Sequence, residues 1–446
     1  MRLIVGYKTK VLIYLVVFCL VIMVMTTIGF SEMAPITISF LYLLGMIVFL
    51  AAISNSTLKN SYDIVLFWGS FFIKILYALY RFPLADIANP SLSGDAGGFW
   101  RTAGEYYEGD FGRVYTPFPY ILNCEFHIFG KNVICCCITN IVLSMIMVAI
   151  VIYSMNRLGI YGKSRIYAAL CSAFLPYTII VSNSILRESL YFAFISASFI
   201  SYIHYIQMRR QKYIYLAILL LIPVLILHIG YFPIAAVYLV EMLTHETIKT
   251  KRGFLNKIII ILGFIVFVFF ASQLNSVGYL TEGNGIIGII NKIMGANSDE
   301  VMGTAGSRYL AELKITSITS FVLYSPLKWC YFMFSPLPNN WRGIEDALAF
   351  ICDGFIHLAC IWITIRSIQK QKHNCLEGRH DSIIRIMRTG LWSVILCGFV
   401  FGLGTSTAGT AIRHRDAMIG IEAILIGISL TIRNGDLFAQ EIWEHG

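Results

Sequence analysis

Long apolar runs recur along the whole chain, and they restrict its fold more than any other feature of the sequence. A bilayer core is crossed by about 20 helical residues, and most of the runs approach or reach that length. Charged residues make up only 13% of the chain, too few for a soluble domain, in which about 25% are charged. The sequence therefore predicts an all-α integral membrane protein of about 12 transmembrane helices, in one polytopic membrane domain over residues 1–446. The runs are Val11–Gly29, Ile36–Ser54, Tyr62–Tyr80, Asn132–Ser154, Ile166–Ser182, Ser189–Gln207, Ile214–Leu227, Tyr231–Met242, Lys257–Ala271, Asp346–Ile365, Leu391–Gly404 and Ala417–Ile432.

Lysine and arginine concentrate between particular runs, and this asymmetry predicts the orientation of the chain. The positive-inside rule assigns such loops to the cytoplasm, so we expect a multi-pass membrane protein with both termini cytoplasmic. Segments 81–117, 272–345 and 405–416 are then outward-facing loops bearing short helices, and the active side faces outward. Because cytoplasmic loops carry most of the net charge of +9, no nucleic-acid partner is predicted. The basic clusters are Arg2–Lys10, Arg157–Arg165, Arg209–Lys212, Lys249–Lys257 and Arg366–Arg388.

The moderately apolar stretch Ile315–Phe334 lies inside the second outward segment. If it crossed the membrane, the basic loop from Arg366 to Arg388 would face outward, against the positive-inside rule. Its proline and tryptophan content, including Pro326 and Trp329, is typical of an interfacial surface. We therefore interpret Ile315–Phe334 as re-entrant or interfacial.

The first outward loop carries five acidic residues, and one of them, Asp95, lies directly after Gly94 and before an expected short helix over Ala96–Tyr107. Such a position suits an N-cap, which is the structural interpretation. The functional interpretation is a general base that takes the proton of an acceptor hydroxyl. Arg113 is a candidate supporting residue in the same loop. The loop's aromatic side chains are candidates either for stacking on sugar rings or for an interfacial belt.

Arg187 and Glu188 stand between two apolar runs with almost no loop around them. One interpretation is a solvated turn with a local neutral pair. Charges near the bilayer usually have a partner, however, because burying them alone is costly. An outward-facing arginine beside a carboxylate is also suited to binding a diphosphate. We expect Arg187 to bind a diphosphate and Glu188 to support it.

The third outward segment packs Arg413, His414 and Arg415 next to Asp416. Arginine offers planar, bidentate pairing to phosphate, which lysine does not. We therefore predict that Arg413, His414 and Arg415 bind phosphate, supported by Asp416. The alternative is a structural ion-pair network.

Several sequence patterns are missing, and their absence narrows the chemistry. The chain contains no G-x-x-x-x-G-K-[ST], no H-E-x-x-H, no G-x-G-x-x-G that opens a βαβ unit and no C-x-x-C. We therefore predict no cofactor and no metal site. No soluble region is long enough for a nucleotide-sugar-binding domain, which favours a donor reached from the membrane.

Three segments resemble multi-pass bacterial glycosyltransferases of surface-polysaccharide assembly, including polyprenyl-linked-sugar transferases and O-antigen or capsule repeat-unit polymerases. They are Gly94–Ala103, Ser184–Glu188 and Gly409–Arg415. The resemblance implies transfer of a sugar or oligosaccharide from an undecaprenyl-linked donor, with Asp95 as base. It also implies membrane lipids and other polysaccharide-assembly proteins as partners. Many such transferases carry two adjacent acidic residues in the first loop, whereas Asp95 stands alone.

Two other classes compete with glycosyl transfer. A transporter or lipid-linked-glycan flippase would use charged residues within the membrane, and Lys74, Asp353 and Glu422 lie in apolar runs. A membrane acyltransferase would use an embedded histidine. His357 lies in an apolar run, but the sequence shows no recognisable acidic neighbour for it.

Overall fold

The computed structural model describes residues 35–82, 86–111, 117–245, 308–310, 313, 317–373, 378–405 and 407–434, and within these ranges there is no β-strand. The all-α prediction is therefore confirmed for this part of the chain. One isolated bridge pairs Arg308 with Thr407. The α-helices are α1 (Pro35–Thr57), α2 (Ser61–Arg81), α3 (Gly94–Tyr107), α4 (Phe118–Phe129), α5 (Val133–Leu158), α6 (Gly162–Phe174), α7 (Pro176–Ser182), α8 (Glu188–Met208), α9 (Gln211–Leu227), α10 (Phe232–His245), α11 (Ile318–Phe334), α12 (Ile344–Ala349), α13 (Phe355–His373), α14 (Gly378–Gly404), α15 (Ala408–Asp416) and α16 (Ile419–Asn434).

Six helices of the described residues are long and apolar enough to cross a membrane, or seven if the bent pair α6 and α7 counts as one span. The chain is thus a helical protein with the character of a multi-pass membrane protein. The described residues contain fewer candidate spans than the predicted number of about 12. Two expected spans, Val11–Gly29 and Lys257–Ala271, lie outside the described residues. Two others form α9 and α10, which have 17 and 14 residues and are short for a span.

The chain divides into two compact units. Unit 1 comprises residues 1–157 and 161–193, and unit 2 comprises residues 158–160 and 194–446. In unit 1, α2 packs against α6, where the buried Asp63 carboxylate pairs with the Arg165 guanidinium. Lys74 lies in the same helix and donates to the Ser144 hydroxyl at 2.6 Å. These charged groups are buried with partners, which is how apolar helices accommodate them.

The segment 81–117 contributes α3, which forms a helical hairpin with the following helix α4 in unit 1. Aromatic rings join the two helices: Phe99 to Phe118 at 5.1 Å between centroids, and Trp100 to Phe126 at 4.7 Å. The chain packs tightly at Gly97, where an added Cβ would lie 2.6 Å from the Leu92 carbonyl oxygen. Several aromatic residues of this loop thus form the hairpin's own packing, and α4 is a helix that the apolar runs did not indicate.

In unit 2, α13 and α16 pack in parallel with a constant register. Cys360 Sγ lies 3.6 Å from the Glu422 carbonyl oxygen, and Ser367 and Lys370 donate to the carbonyl oxygens of Ser429 and Ile432, all pairs 62 residues apart. Contacts at 360 and 422 are followed seven residues later by contacts at 367 and 429. This is the spacing of helices packed side by side along a shared seam.

A second packing motif in unit 2 joins α11 to α14 through Gly398 and Gly402. An added Cβ on Gly402 would lie 3.1 Å from the Trp329 Cα, so the two backbones meet there directly. Small residues four apart allow such close crossings between membrane helices. The helix α11 has 17 residues and is not among the candidate spans of the described chain. That it is re-entrant or interfacial stays a prediction.

The predicted third outward segment, 405–416, bears a short helix as expected, but most of that helix is buried. Residues Ala408–Asp416 form the helix α15, and its Ala411 and Ile412 are buried. The physical reason is that the charged end of the segment packs inward, with Arg415 and Asp416 both fully buried. The charged residues Arg415 and Asp416 therefore belong to a buried network. From composition alone, such a segment cannot be distinguished from a polar loop.

Candidate functional sites in the two units

Asp95 lies in the first turn of α3 and is exposed. The helix begins at Gly94, whose φ of 59° is in the left-handed region that glycine adopts without strain. The N-cap residue is Ser93, so the interpretation of Asp95 as the N-cap is wrong. A carboxylate in the first turn is favoured by the helix dipole, and there Asp95 remains accessible to a ligand.

Phe99 follows Asp95 by one helical turn on the same face of α3. The Arg187 guanidinium lies over the Phe99 ring, with its carbon 5.8 Å from the ring centroid. Arg187 is half-buried, at the start of α8. Asp95 and Phe99 therefore lie on one face of α3, and the Arg187 guanidinium contacts the Phe99 ring.

The non-helical segment 183–187 separates α7 from α8 and positions Arg187. Its backbone is held by side chains, since Asn140 donates to the Ser184 carbonyl oxygen at 2.7 Å. The Arg81 guanidinium donates to the Ser184 hydroxyl at 2.8 Å, so a second arginine reaches this segment. Irregular backbone between apolar helices requires such internal partners.

Glu188, expected to support Arg187, is almost fully buried. One of its carboxylate oxygens, Oε2, has no hydrogen-bond partner among the described residues. Arg113, the other supporting residue of this unit, lies outside the described residues.

In unit 2, Arg415 lies at the centre of a buried network. Its Nε donates to Asp353 Oδ2 at 2.9 Å, Nη2 contacts the same oxygen, and Nη1 donates to the Phe332 carbonyl oxygen at 3.1 Å. Arg415 has no exposed surface. For it to bind a diphosphate, its pair with Asp353 would have to open, and that role stays a prediction.

His414 lies beside Arg415 but faces an aromatic cluster. Its ring stacks on Phe401 at 4.6 Å between centroids and lies 4.7 Å from the His228 ring. The Tyr231 hydroxyl donates to the His414 carbonyl oxygen at 3.1 Å. Arg413 remains half-buried. Of the predicted phosphate-binding residues of α15, Arg413 alone keeps appreciable exposure.

His357 is surrounded by carboxylates, contrary to the expectation that it has no acidic neighbour. Its Nε2 lies 3.2 Å from Asp353 Oδ1 and 3.1 Å from Asp416 Oδ1, and its Nδ1 lies 2.5 Å from Glu422 Oε2. One partner is visible in the sequence, because Asp353 precedes His357 by four residues and shares its helix face. The other two come from α15 and α16 and are brought in only by the tertiary fold.

Comparisons with known proteins add no identification: no protein-family model, no curated protein and no solved structure matches the chain.

Proposed function

We propose that the chain is an integral membrane glycosyltransferase that moves a sugar or oligosaccharide from an undecaprenyl-linked donor to an acceptor hydroxyl. One observation carries this proposal. The exposed Asp95 carboxylate lies one helical turn from Phe99, and the Arg187 guanidinium lies over that ring. Base, stacking surface and phosphate-binding cation are the groups that glycosyl transfer from a lipid diphosphate requires.

The reaction assigns each group a part. Asp95 accepts the proton of the acceptor hydroxyl as its oxygen attacks the anomeric carbon of the donor. The bond from that carbon to the diphosphate oxygen breaks, and the diphosphate leaves with the bonding electrons. Arg187 stabilises the negative charge that develops there, which is commonly among the larger contributions to catalysis. Its contact with Phe99 holds the guanidinium in place for bidentate pairing.

The acceptor would lie along α3, where Phe99 and Trp100 pack against α4 but each keeps part of its surface exposed. Aromatic faces of this kind can pack against the apolar side of a sugar ring. Asp95 lies in the first turn of the same helix and is exposed. We assign the outward orientation of this surface, and the bacterial inner membrane, as parts of the proposal.

A second candidate function, transport of a lipid-linked glycan or other solute, is favoured by the buried network of unit 2. Asp353 and His357 lie within the candidate span Asp346–Gln371, and ionisable groups inside apolar helices often mark ion pathways. The bend of 41° between α6 and α7 resembles the broken helices of transporters.

A reconstituted assay separates the two functions. The purified chain is placed in liposomes carrying an undecaprenyl-diphosphate-linked glycan, with acceptor supplied on one side. Glycosyl transfer predicts a new glycosidic bond and release of undecaprenyl diphosphate. Movement of intact donor to the opposite leaflet, with no new bond, would contradict glycosyl transfer and support the transporter.

A further inference from the structure

The buried carboxylates around His357 have a geometry that the proposed function leaves unused. The atoms Asp353 Oδ1, His357 Nε2 and Asp416 Oδ1 all lie within 4.8 Å of one another. Two of the three separations, from the histidine to each aspartate, are 3.2 and 3.1 Å. Ligands at about 2.0–2.2 Å from a tetrahedral zinc ion lie roughly 3.3–3.5 Å apart. We propose that Asp353, His357 and Asp416 bind one divalent transition-metal ion, zinc or manganese.

The groups behind these three side chains are those that support metal ligands. Glu422 Oε2 lies 2.5 Å from His357 Nδ1, an ion-pair contact without hydrogen-bond geometry, so a carboxylate lies directly behind the histidine. Arg415 binds Asp353 through Oδ2 and leaves Oδ1 facing the histidine. Metal-binding histidines generally donate their second nitrogen to a carboxylate or carbonyl, and metal-binding carboxylates are themselves hydrogen-bonded.

The charges of the network also call for a cation. Three carboxylates, those of Asp353, Asp416 and Glu422, face a single guanidinium and one imidazole, and all five side chains are almost fully buried. With neutral His357 the network carries two uncompensated negative charges. Buried charge of this size is strongly unfavourable unless it is paired. One divalent ion neutralises it.

A separate observation points to a ligand at Asp416. Its side chain has no exposed surface, and its Oδ2 atom has no hydrogen-bond partner within the described chain. A buried carboxylate oxygen of this kind is costly unless something binds it. Asp416 lies at the end of α15, and its carboxylate contacts His357 of α13 from a different element.

The ligand set argues for a mixed nitrogen and oxygen site. One imidazole with two carboxylates suits zinc or manganese better than calcium, which prefers all-oxygen sites with six or more ligands. Three protein ligands leave one tetrahedral position open, as in zinc sites that bind water or substrate.

The competing occupant is a pair of protons, one on His357 and one shared by the two aspartates. Two protons would balance the same charge, and no metal would bind. Bound protons would suit a transporter, so finding no metal would favour that candidate function. It is independent of whether Asp95 and Arg187 transfer a sugar.

The test measures metal content on the full-length chain, purified in detergent. The protein is equilibrated separately with ZnCl₂ or MnCl₂ and desalted, and bound metal is counted by mass spectrometry. We expect one ion per wild-type chain with at least one of the two metals. His357→Ala and Asp416→Asn should each lose it. Glu422→Gln, which alters only the supporting carboxylate, should weaken binding about 10–100-fold.

Asp63→Asn is the matched control, because Asp63 is also a buried carboxylate paired with an arginine, but it lies in unit 1. It should retain full metal content. Co²⁺ loading gives an independent readout on the wild type, where a ligand-field absorption spectrum should appear and be displaced by zinc. The proposal would be overturned if the wild-type chain held well under one ion per chain both after zinc loading and after manganese loading. Metal content unchanged in His357→Ala would overturn it as well.

Discussion

The two units use the same pair of residue types in opposite environments. In unit 1, Asp95 is exposed and Arg187 is half-buried over an aromatic ring. In unit 2, Asp353 and Arg415 are almost fully buried and bind each other. The buried arginine uses its donors on protein oxygens, so it contributes to the fold. The accessible pair of unit 1 is the better candidate for substrate. Exposure and partners, more than residue type, decide whether an aspartate and an arginine can reach a substrate.

The largest effect on folding should come from breaking the network of unit 2. Asp353→Ala leaves the buried Arg415 guanidinium without its carboxylate, which typically costs about 3–5 kcal/mol. Unfolding is measured in detergent with a chelator present, so that bound metal does not contribute. Asp110→Ala, an exposed carboxylate in unit 1, is the control and should stay within about 0.5 kcal/mol of wild type. A similarly small change for Asp353→Ala would remove the difference between the two regions.

Removing Arg187 should affect donor binding while leaving the fold nearly intact. Arg187→Ala should weaken binding of undecaprenyl diphosphate by about 1.5–3 kcal/mol, the range for a hydrogen bond to a charged group. Arg187→Lys should restore part of that loss, because charge is kept while the planar bidentate geometry is lost. Binding is measured on the purified chain by titration with the lipid. Full binding in Arg187→Ala would exclude this arginine as the diphosphate ligand.

Two glycines give a smaller test of how differently the units are packed. Gly402→Ala places a methyl group against the backbone of α11, and overpacking of this kind costs about 1–3 kcal/mol. Gly98→Ala adds a methyl group where no atom lies within 4 Å, inside α3. Alanine is the better helix former, so this change should be neutral or stabilise by about 0.5–1 kcal/mol. Both are measured by thermal unfolding. If Gly402→Ala destabilised the protein no more than Gly98→Ala does, the close helix crossing at Gly402 would be unimportant for stability.

The fold class could be predicted because it follows from the length of apolar runs, which is a local property. The number of spans could not, since runs such as Ile214–Leu227 give helices too short to decide by composition. The short helix of the first loop was also expected, and it begins two residues earlier, at Gly94. Its partner α4 went unpredicted, because its aromatic residues pack on α3 in tertiary structure.

The candidate sites show a similar division. Asp95 and Arg187 were identified from charge in unusual places, whereas the contact of Arg187 with Phe99, one helical turn from Asp95, needed the fold. Arg415 was expected to face outward, because a run of charges reads as polar surface. Its partner Asp353 is 62 residues away, so no local pattern could show the pairing. The spacing of Asp353 and His357 by four residues was a signal that the sequence did contain.

The rate of glycosyl transfer by Asp95→Asn tests the central claim most directly. Asparagine keeps the shape of the side chain but cannot accept the proton, so transfer should fall by about 10²–10⁴-fold. Because Asp95 is exposed and is not the N-cap, the thermal unfolding temperature should match that of wild type. Glu105→Gln is the control, an exposed carboxylate later in α3 that should keep near-normal transfer. The assay is single-turnover transfer in liposomes, normalised to folded protein. Wild-type transfer rates in Asp95→Asn would contradict the assignment of Asp95 as the base.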